Sequence, residues 1–209
     1  MSTFPATFCP RDPNERDRQV HEAVRALMAE QGFHISMDAV AMRVGCSKQT
    51  LYNHYGSKQG LLQSIMRDQL NVSAAVLSMP DQDIRRSLTT FAIAQLERLN
   101  DPAVFNAVQL AVAQAGQPPE EIRTLYRDSI AALQDHLATW LHNAMQQGHL
   151  RHDDPHCAAE LLLGMILGLE LERRHLFVTH RSGEELGEWA SFAIDCFLRA
   201  FAPSLPSSD

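Results

Sequence analysis

The sequence predicts an all-α protein of about nine helices. Two observations carry this. Apolar residues recur with the 3.6-residue period of a helix along almost the whole chain, and strand-like alternation is scarce. Glycine and proline fall mostly between the periodic segments, where helices stop and start. With 209 residues, 45% of them hydrophobic, the chain can bury a sizeable core, in one large or two small domains.

Each element follows from its own start and stop signals. Residues 1–13 read as a flexible arm with Pro5, Pro10 and Pro13. The first helix is expected over 14–31, with Val20, Val24, Leu27 and Met28 on one face and Gly32 as its stop. Ser36 caps a second helix from Met37 to Arg43. Gly45 permits a sharp turn, and Ser47 caps a short third helix that runs to about His54. Gly56-Ser57 breaks the chain again. Ser57 caps a fourth helix bearing Leu61, Leu62, Ile65, Met66 and Leu70, which ends at Met79-Pro80-Asp81.

A fifth helix carries Ile84, Leu88, Phe91, Ala92, Gln95, Leu96 and Leu99 at helical spacing. Asp101-Pro102 pairs an N-cap with a proline at the first helical position and opens a sixth. Pro118-Pro119-Glu120-Glu121 starts a long seventh whose stripe runs from Ile122 through Leu125, Tyr126, Ser129, Ile130, Leu133, Leu137, Trp140 and Leu141 to Ala144. Gly148 ends it. Asp154-Pro155 opens the eighth, which is apolar nearly all round between Cys157 and Leu171. Such a helix needs burial on both sides. The ninth spans about Glu184 to Phe201, with Phe192 and Cys196 off its main stripe. Leu163, Ile166, Leu167, Phe192 and Cys196 are therefore candidates for a two-fold dimer interface. Gly164 and Gly168, four apart, would admit a second helix closely.

Charge and cysteine usage narrow the function classes. The net charge of −7 is uneven: residues 1–60 carry seven Lys+Arg against six Asp+Glu, and the remainder eleven against nineteen. A nucleic-acid reader needs positive charge on one face, not a basic average. Cys9, Cys46, Cys157 and Cys196 form no CxxC pair, which argues against a disulfide framework or zinc knuckle. No signal-peptide pattern precedes the first helix, and the apolar run Leu161 to Leu169 is far short of the roughly 20 residues that span a bilayer. A cytoplasmic protein with no membrane partner is expected. A Gly-rich phosphate loop, a nucleophile elbow and a Glu-x-x-His pair are all missing, so an enzyme is not indicated.

The most informative stretch is Val44 to Leu62. The second and third helices, joined by Val44-Gly45-Cys46, have helix-turn-helix proportions, with Ala39, Val40, Val44 and Leu51 placed to pack them together. That leaves Lys48, Gln49, Thr50, Asn53 and His54 facing outward. Lysine can donate to guanine O6 and N7, and Gln or Asn can pair with adenine N6 and N7. The Tyr52 and Tyr55 hydroxyls can reach phosphates. Lys58, in the first turn of the fourth helix, can share a phosphate with free backbone N–H groups. The competing reading is a helical protein-interaction module that never meets DNA.

The segments Ser36-Met-Asp-Ala-Val-Ala, Val44-Gly-Cys-Ser47 and Leu51-Tyr-Asn-His-Tyr55-Gly-Ser-Lys58-Gln-Gly-Leu61-Leu resemble the N-terminal domain of TetR/AcrR-family transcriptional regulators, over roughly residues 15–65. The Asp-Pro openings of the sixth and eighth helices, with Gly148-His-Leu, are similar to an AefR-like subgroup. The resemblance implies an N-terminal three-helix helix-turn-helix domain (14–56), a C-terminal helical bundle that binds effector and dimerises (57–202), and a tail (203–209). It implies a homodimeric repressor that binds double-stranded DNA, at a palindromic operator, and is released by a small apolar or amphipathic molecule. DNA contacts are carried onto Lys48, Gln49, Thr50, Tyr52, Asn53, His54, Tyr55 and Lys58. Tyr55 stands where many members have Phe. Gly60 replaces the usual helix former at a cost of about 1 kcal/mol in local helix stability, which would loosen the joint between the domains.

An effector pocket is implied among the fourth to eighth helices, with Met66, Phe91, Phe105, Leu110, Tyr126, Trp140 and Met165 as candidate walls. Apolar pockets with a few polar groups suit such ligands. His149, His152 and His156 lie close to Cys157, yet in a Gly- and Asp-rich connection they read as solvated, and no metal or cofactor is expected. Cys46 reads as a small packing residue rather than an oxidant sensor.

Overall fold

A computed structural model describes residues 13–78, 83–101, 120–175 and 181–203. Among these, every regular element is a helix: α1 Pro13–Gln31, α2 Met37–Val44, α3 Lys48–Tyr55, α4 Lys58–Ser78, α5 Ile84–Leu99, α6 Glu120–Gln146, α7 Pro155–Leu167, α8 Glu170–His175 and α9 Gly183–Ala200. The expected arm up to residue 12, the stop at Met79-Pro80-Asp81, the helix beyond Asp101 and the end of the tail lie outside the described residues.

Capping chemistry sets the boundaries. Ser36 Oγ accepts from the Ala39 N–H at 3.1 Å and opens α2. Ser47 Oγ accepts from the Thr50 N–H at 3.0 Å and opens α3. Asp83 caps α5 through the Arg85 and Arg86 N–H groups. Asp154 caps α7 through the N–H groups of His156 and Cys157, with Pro155 in the first turn. These bonds satisfy backbone donors that a helix start leaves open. They also hold the Asp154 carboxyl below the usual carboxylate range. At α9 the Glu185 carboxylate accepts from both the N–H and the hydroxyl of Ser182, each at 2.8 Å.

The described residues form two compact units. The first holds those up to Asp68 together with Asp101–Arg127; the second holds Gln69–Asn100 and those from Asp128 onward. The first core is built from the predicted α1 face, with Val20 and Val24 fully buried, joined by Val40, Leu51, Leu61 and Leu62. Ile122 and Leu125 of α6 belong to this core as well. The second core gathers Leu88, Phe91 and Leu96 of α5, Leu137 and Leu141 of α6, Leu162 and Ile166 of α7, and Ile194 and Phe197 of α9. Each such side chain contributes roughly 1.5–3 kcal/mol by leaving water.

Two expectations are corrected here. Ile130, placed on the α6 stripe, is 45% exposed. The buried line runs through Ser129, Leu133, Leu137 and Leu141, and Ile130 stands about 100° round the helix from Ser129. The eighth predicted helix does not continue to Leu171. Gly168, at φ 47 and ψ −131, ends α7, and α8 starts at Glu170. The Trp189 ring packs over Gly168, 3.3 Å from where a Cβ would stand, and its Nε1–H donates to the Ile166 carbonyl at 2.8 Å. Gly168 thus seats a side chain of its own unit at a helix break. Gly164 has open space where a Cβ would stand.

Candidate nucleic-acid interface

The turn between α2 and α3 is closed by backbone. Gly45, in the left-handed region at φ 76 and ψ 31, donates its N–H to the Ala41 carbonyl at 2.9 Å, and the Cys46 N–H reaches the same oxygen at 3.0 Å. A side chain at that φ would be strained. Cys46 is half-buried and packs against the first core. α3 has only eight residues, too few to be stable alone, so packing holds it. Leu51, 1% exposed, is its one fully buried side chain. Lys48, Gln49, Tyr52, Asn53 and His54 are exposed, and Thr50 is half-buried.

The polar groups of this face are organised among themselves. The Lys48 ammonium donates to Asp38 of α2 at 2.6 Å, and that hydrogen bond raises its pKa. Gln49 Nε2 donates to Asn53 Oδ1 at 2.8 Å. The Thr50 hydroxyl lies 2.8 Å from that of Ser47. His54 Nε2 lies 2.9 Å from Asp17 Oδ1, and the Tyr55 hydroxyl donates to the same oxygen at 2.7 Å. Burial, and then the bond to Asp17, push the Tyr55 phenol well above its usual value. Lys58 is also turned inward. Its ammonium donates to the Phe33 carbonyl at 2.7 Å; burial lowers its pKa, and Glu121 partly opposes the shift.

The outward set expected from the sequence is therefore brought together on one short helix. Tyr55 and Lys58 differ from the expectation: both send their polar ends into the protein rather than toward solvent. Sequence reasoning missed Asp17, Asp38 and the Phe33 carbonyl. Their partners lie 38, 10 and 25 residues away, and no local pattern marks them.

Gly60 also reads differently in three dimensions. A Cβ there would collide with the Tyr55 carbonyl oxygen. The absent side chain lets the first turn of α4 close against the end of α3, with Ser57 Oγ accepting from the Gly60 N–H at 2.9 Å. The glycine is what the close approach of the two helices at this turn requires.

Of the candidate effector walls, Met66 packs against the first core; Phe91 is fully buried in the second, and Trp140 and Met165 pack against that one. Phe105, Leu110 and the Tyr126 side chain lie outside the described residues. A cleft of about 60 Å³ in the first unit is lined by Phe33, Lys58, Gln59, Leu62, Glu121, Ile122 and Leu125. Of the dimer candidates, Ile166 is fully buried and Leu163 9% exposed, both within the second core, because their side of α7 packs on it. Leu167 and Cys196 are half-buried. Phe192, at 57%, and Leu161, at 50%, are what α9 and α7 present outward. His149, His152 and His156 are exposed. No group of three or more potential metal ligands occurs among the described residues, nor does a helix long and apolar enough to cross a membrane.

A two-helix hairpin with a tight glycine turn, whose second helix buries one leucine and displays amide and cationic side chains, defines a helix-turn-helix DNA-binding protein. Residues 21–65 match the family of bacterial regulatory proteins called tetR, and residues 86–203 match the C-terminal domain of AefR-like transcriptional repressors. The chain belongs to the TetR family of transcriptional regulators. The HTH-type transcriptional regulator UidR of Escherichia coli is 23% identical over 178 residues, which cover 84% of this chain and 86% of UidR. A TetR-family regulator from Mesorhizobium loti shares the fold at a TM-score of 0.71 and 23% identity, over 90% of this chain and 98% of its own. The flavonoid-responsive regulator FrrA aligns at a TM-score of 0.64 and 27% identity, over 92% of this chain and 100% of its own. The chain is accordingly a DNA-binding transcriptional repressor, not an enzyme, of a family that binds operators and typically acts as homodimers.

Proposed function

We propose that this repressor reads a palindromic operator as a homodimer and is released from it by a small apolar or amphipathic molecule. Residues 14–56 form the reading head, and residues 57–202 bind effector and dimerise. The observation that carries the reading role is the division of α3: Leu51 is buried while Lys48, Gln49, Tyr52, Asn53 and His54 are exposed. Lys48, Gln49, Asn53 and His54 are assigned to bases, with Thr50 beside them at the start of the helix. Tyr52 and Lys58 are assigned to phosphates, Lys58 after leaving Phe33, while Tyr55 keeps its hydroxyl on Asp17. The dimer face is assigned to Phe192, Leu161, Leu167 and Cys196. The similarity to a flavonoid-responsive regulator supports an amphipathic effector. Such a ligand acts only by differential affinity for the form that does not fit both half-sites.

The test is binding of the full chain to DNA from upstream of its own gene across a salt series. The expected result is a clear sequence preference with affinity falling steeply as salt rises. Binding with neither preference nor salt dependence would overturn the reading. A flavonoid panel then tests release, with stoichiometry on the shifted band giving the number of copies per site.

A further inference from the structure

We propose that Asp17 is a positioning residue for base reading: one carboxylate oxygen on α1 latches the end of α3 and thereby sets how its outward side chains meet the DNA. This rests on the assignment of α3 as the reading helix. Asp17 Oδ1 accepts from the Tyr55 hydroxyl at 2.7 Å and lies 2.9 Å from His54 Nε2. The His54 and Tyr55 rings meet edge to face, with centroids 4.5 Å apart and planes at 88°. The three groups form one contact joining α1 to the last turn of α3.

Mechanics give the contact its meaning. Leu51 is the one side chain of α3 that is fully buried; the Tyr55 ring packs against the same core only partly buried, so apolar contact alone holds the rotation of this short helix weakly. Tyr55 lies four residues further along the same face. Two anchors on one face fix both rotation and tilt. A rotation of about 20° would carry a side-chain tip some 6 Å from the axis through roughly 2 Å. That exceeds the few tenths of an ångström over which a base-edge hydrogen bond keeps its strength.

Charge makes the proposal separable from a trivial effect. An anion beside a phosphate-binding face weakens DNA binding whatever the sequence. Removing it as a mere charge would tighten every DNA alike. Removing it as a latch would spoil discrimination between sequences.

The experiment selects preferred sites from random double-stranded DNA with the full-length protein and reads preference base by base for wild type, Asp17→Ala, Asp17→Asn, Tyr55→Phe and Gln49→Ala. Thermal unfolding confirms that each is folded. Asp17→Ala and Tyr55→Phe are expected to flatten discrimination about tenfold at the positions that Gln49→Ala also affects. Asp17→Asn, which keeps an acceptor oxygen, is expected to retain the preference within about twofold while binding all sequences more tightly. If Asp17→Ala does not fold, Tyr55→Phe against Asp17→Asn decides the matter. Unchanged preferences in Asp17→Ala and Tyr55→Phe beside altered ones in Gln49→Ala overturn the latch alone. Unchanged preferences in Gln49→Ala overturn the reading helix and the latch together.

Discussion

The Lys58 ammonium donates to the carbonyl oxygen of Phe33 at 2.7 Å, tying the first turn of α4 to the residues that follow α1. Burial disfavours its charge, and Glu121 offsets this in part. A phosphate is a stronger acceptor for an ammonium than a neutral carbonyl, because the hydrogen bond is then charge-assisted at both ends. The side chain is therefore expected to exchange Phe33 for the DNA backbone on binding. Lys58→Ala should weaken all sequences by a similar factor and reduce the slope of log affinity against log salt by about 0.9. Fluorescence anisotropy over a salt series checks this. An unchanged slope would mean that Lys58 stays on Phe33 and serves only the fold.

The Gln49–Asn53 hydrogen bond makes a different prediction, since two side chains that orient each other act as one reader. With Gln49 Nε2 given to Asn53 Oδ1, the carbonyl oxygen of Gln49 and the amide N–H of Asn53 remain for the groove. That pairs one acceptor with one donor, the complement of adenine N6 and N7. Gln49→Ala and Asn53→Ala should each lose about 1–3 kcal/mol of discrimination at the same base step. The double variant should lose less than the sum. Strict additivity, measured with matched and single-step variant DNA, would show two independent contacts instead.

What the sequence made legible here was local. Ser36, Gly45, Ser47 and Asp154 cap or turn as read, because capping and left-handed turns depend on residues three or four apart. The buried faces of α1 and α5 were equally readable from period alone. What escaped was set by distant partners. The place of Tyr55 and Lys58 in the motif points their donors at phosphates, but Asp17 and Phe33 draw them inward. Gly168, four residues from Gly164, reads from the sequence as a close-approach residue; in the fold its φ of 47 and ψ of −131 end α7, and the ring it admits is Trp189.

The α7–α8 break holds another group invisible in sequence. Glu170, with 1% of its side chain exposed, accepts from Arg173 at 2.5 Å, from the Arg181 guanidinium and from the Arg181 N–H at 3.3 Å. Burial alone would raise its carboxyl pKa, but these donors outweigh it and hold it below the ordinary 4.5. A carboxylate depressed in the folded state contributes stability that is present above its unfolded value and is lost as pH falls through its folded value. Glu170→Gln should therefore be less stable than wild type by about 3 kcal/mol at pH 7. The gap should narrow as pH drops from the ordinary 4.5 through the folded value. Urea unfolding of both proteins across that range measures it; a gap independent of pH would mean that packing, not charge, is what the substitution removes.

Gly60 sets helix propensity against sterics. Propensity alone says that Gly60→Ala should stabilise α4 by about 1 kcal/mol. In this fold an added Cβ meets the carbonyl oxygen of Tyr55 well inside contact distance, and the Tyr55 carbonyl carbon at 3.3 Å. The obstacle is backbone, so no rotamer change relieves it; α3 must shift against α4. Relief would move Tyr55, whose hydroxyl holds Asp17, and with it the axis of the reading helix. Gly60→Ala should therefore be destabilising by about 1–3 kcal/mol, the usual range for overpacking. It should also blur base preference in the manner of Asp17→Ala. Denaturant unfolding gives the sign: a variant more stable than wild type would mean that the close approach of the two helices is not needed. A destabilised variant with intact base preference would separate the joint from the reading helix, and leave Asp17 as the stronger of the two constraints on how α3 is aimed.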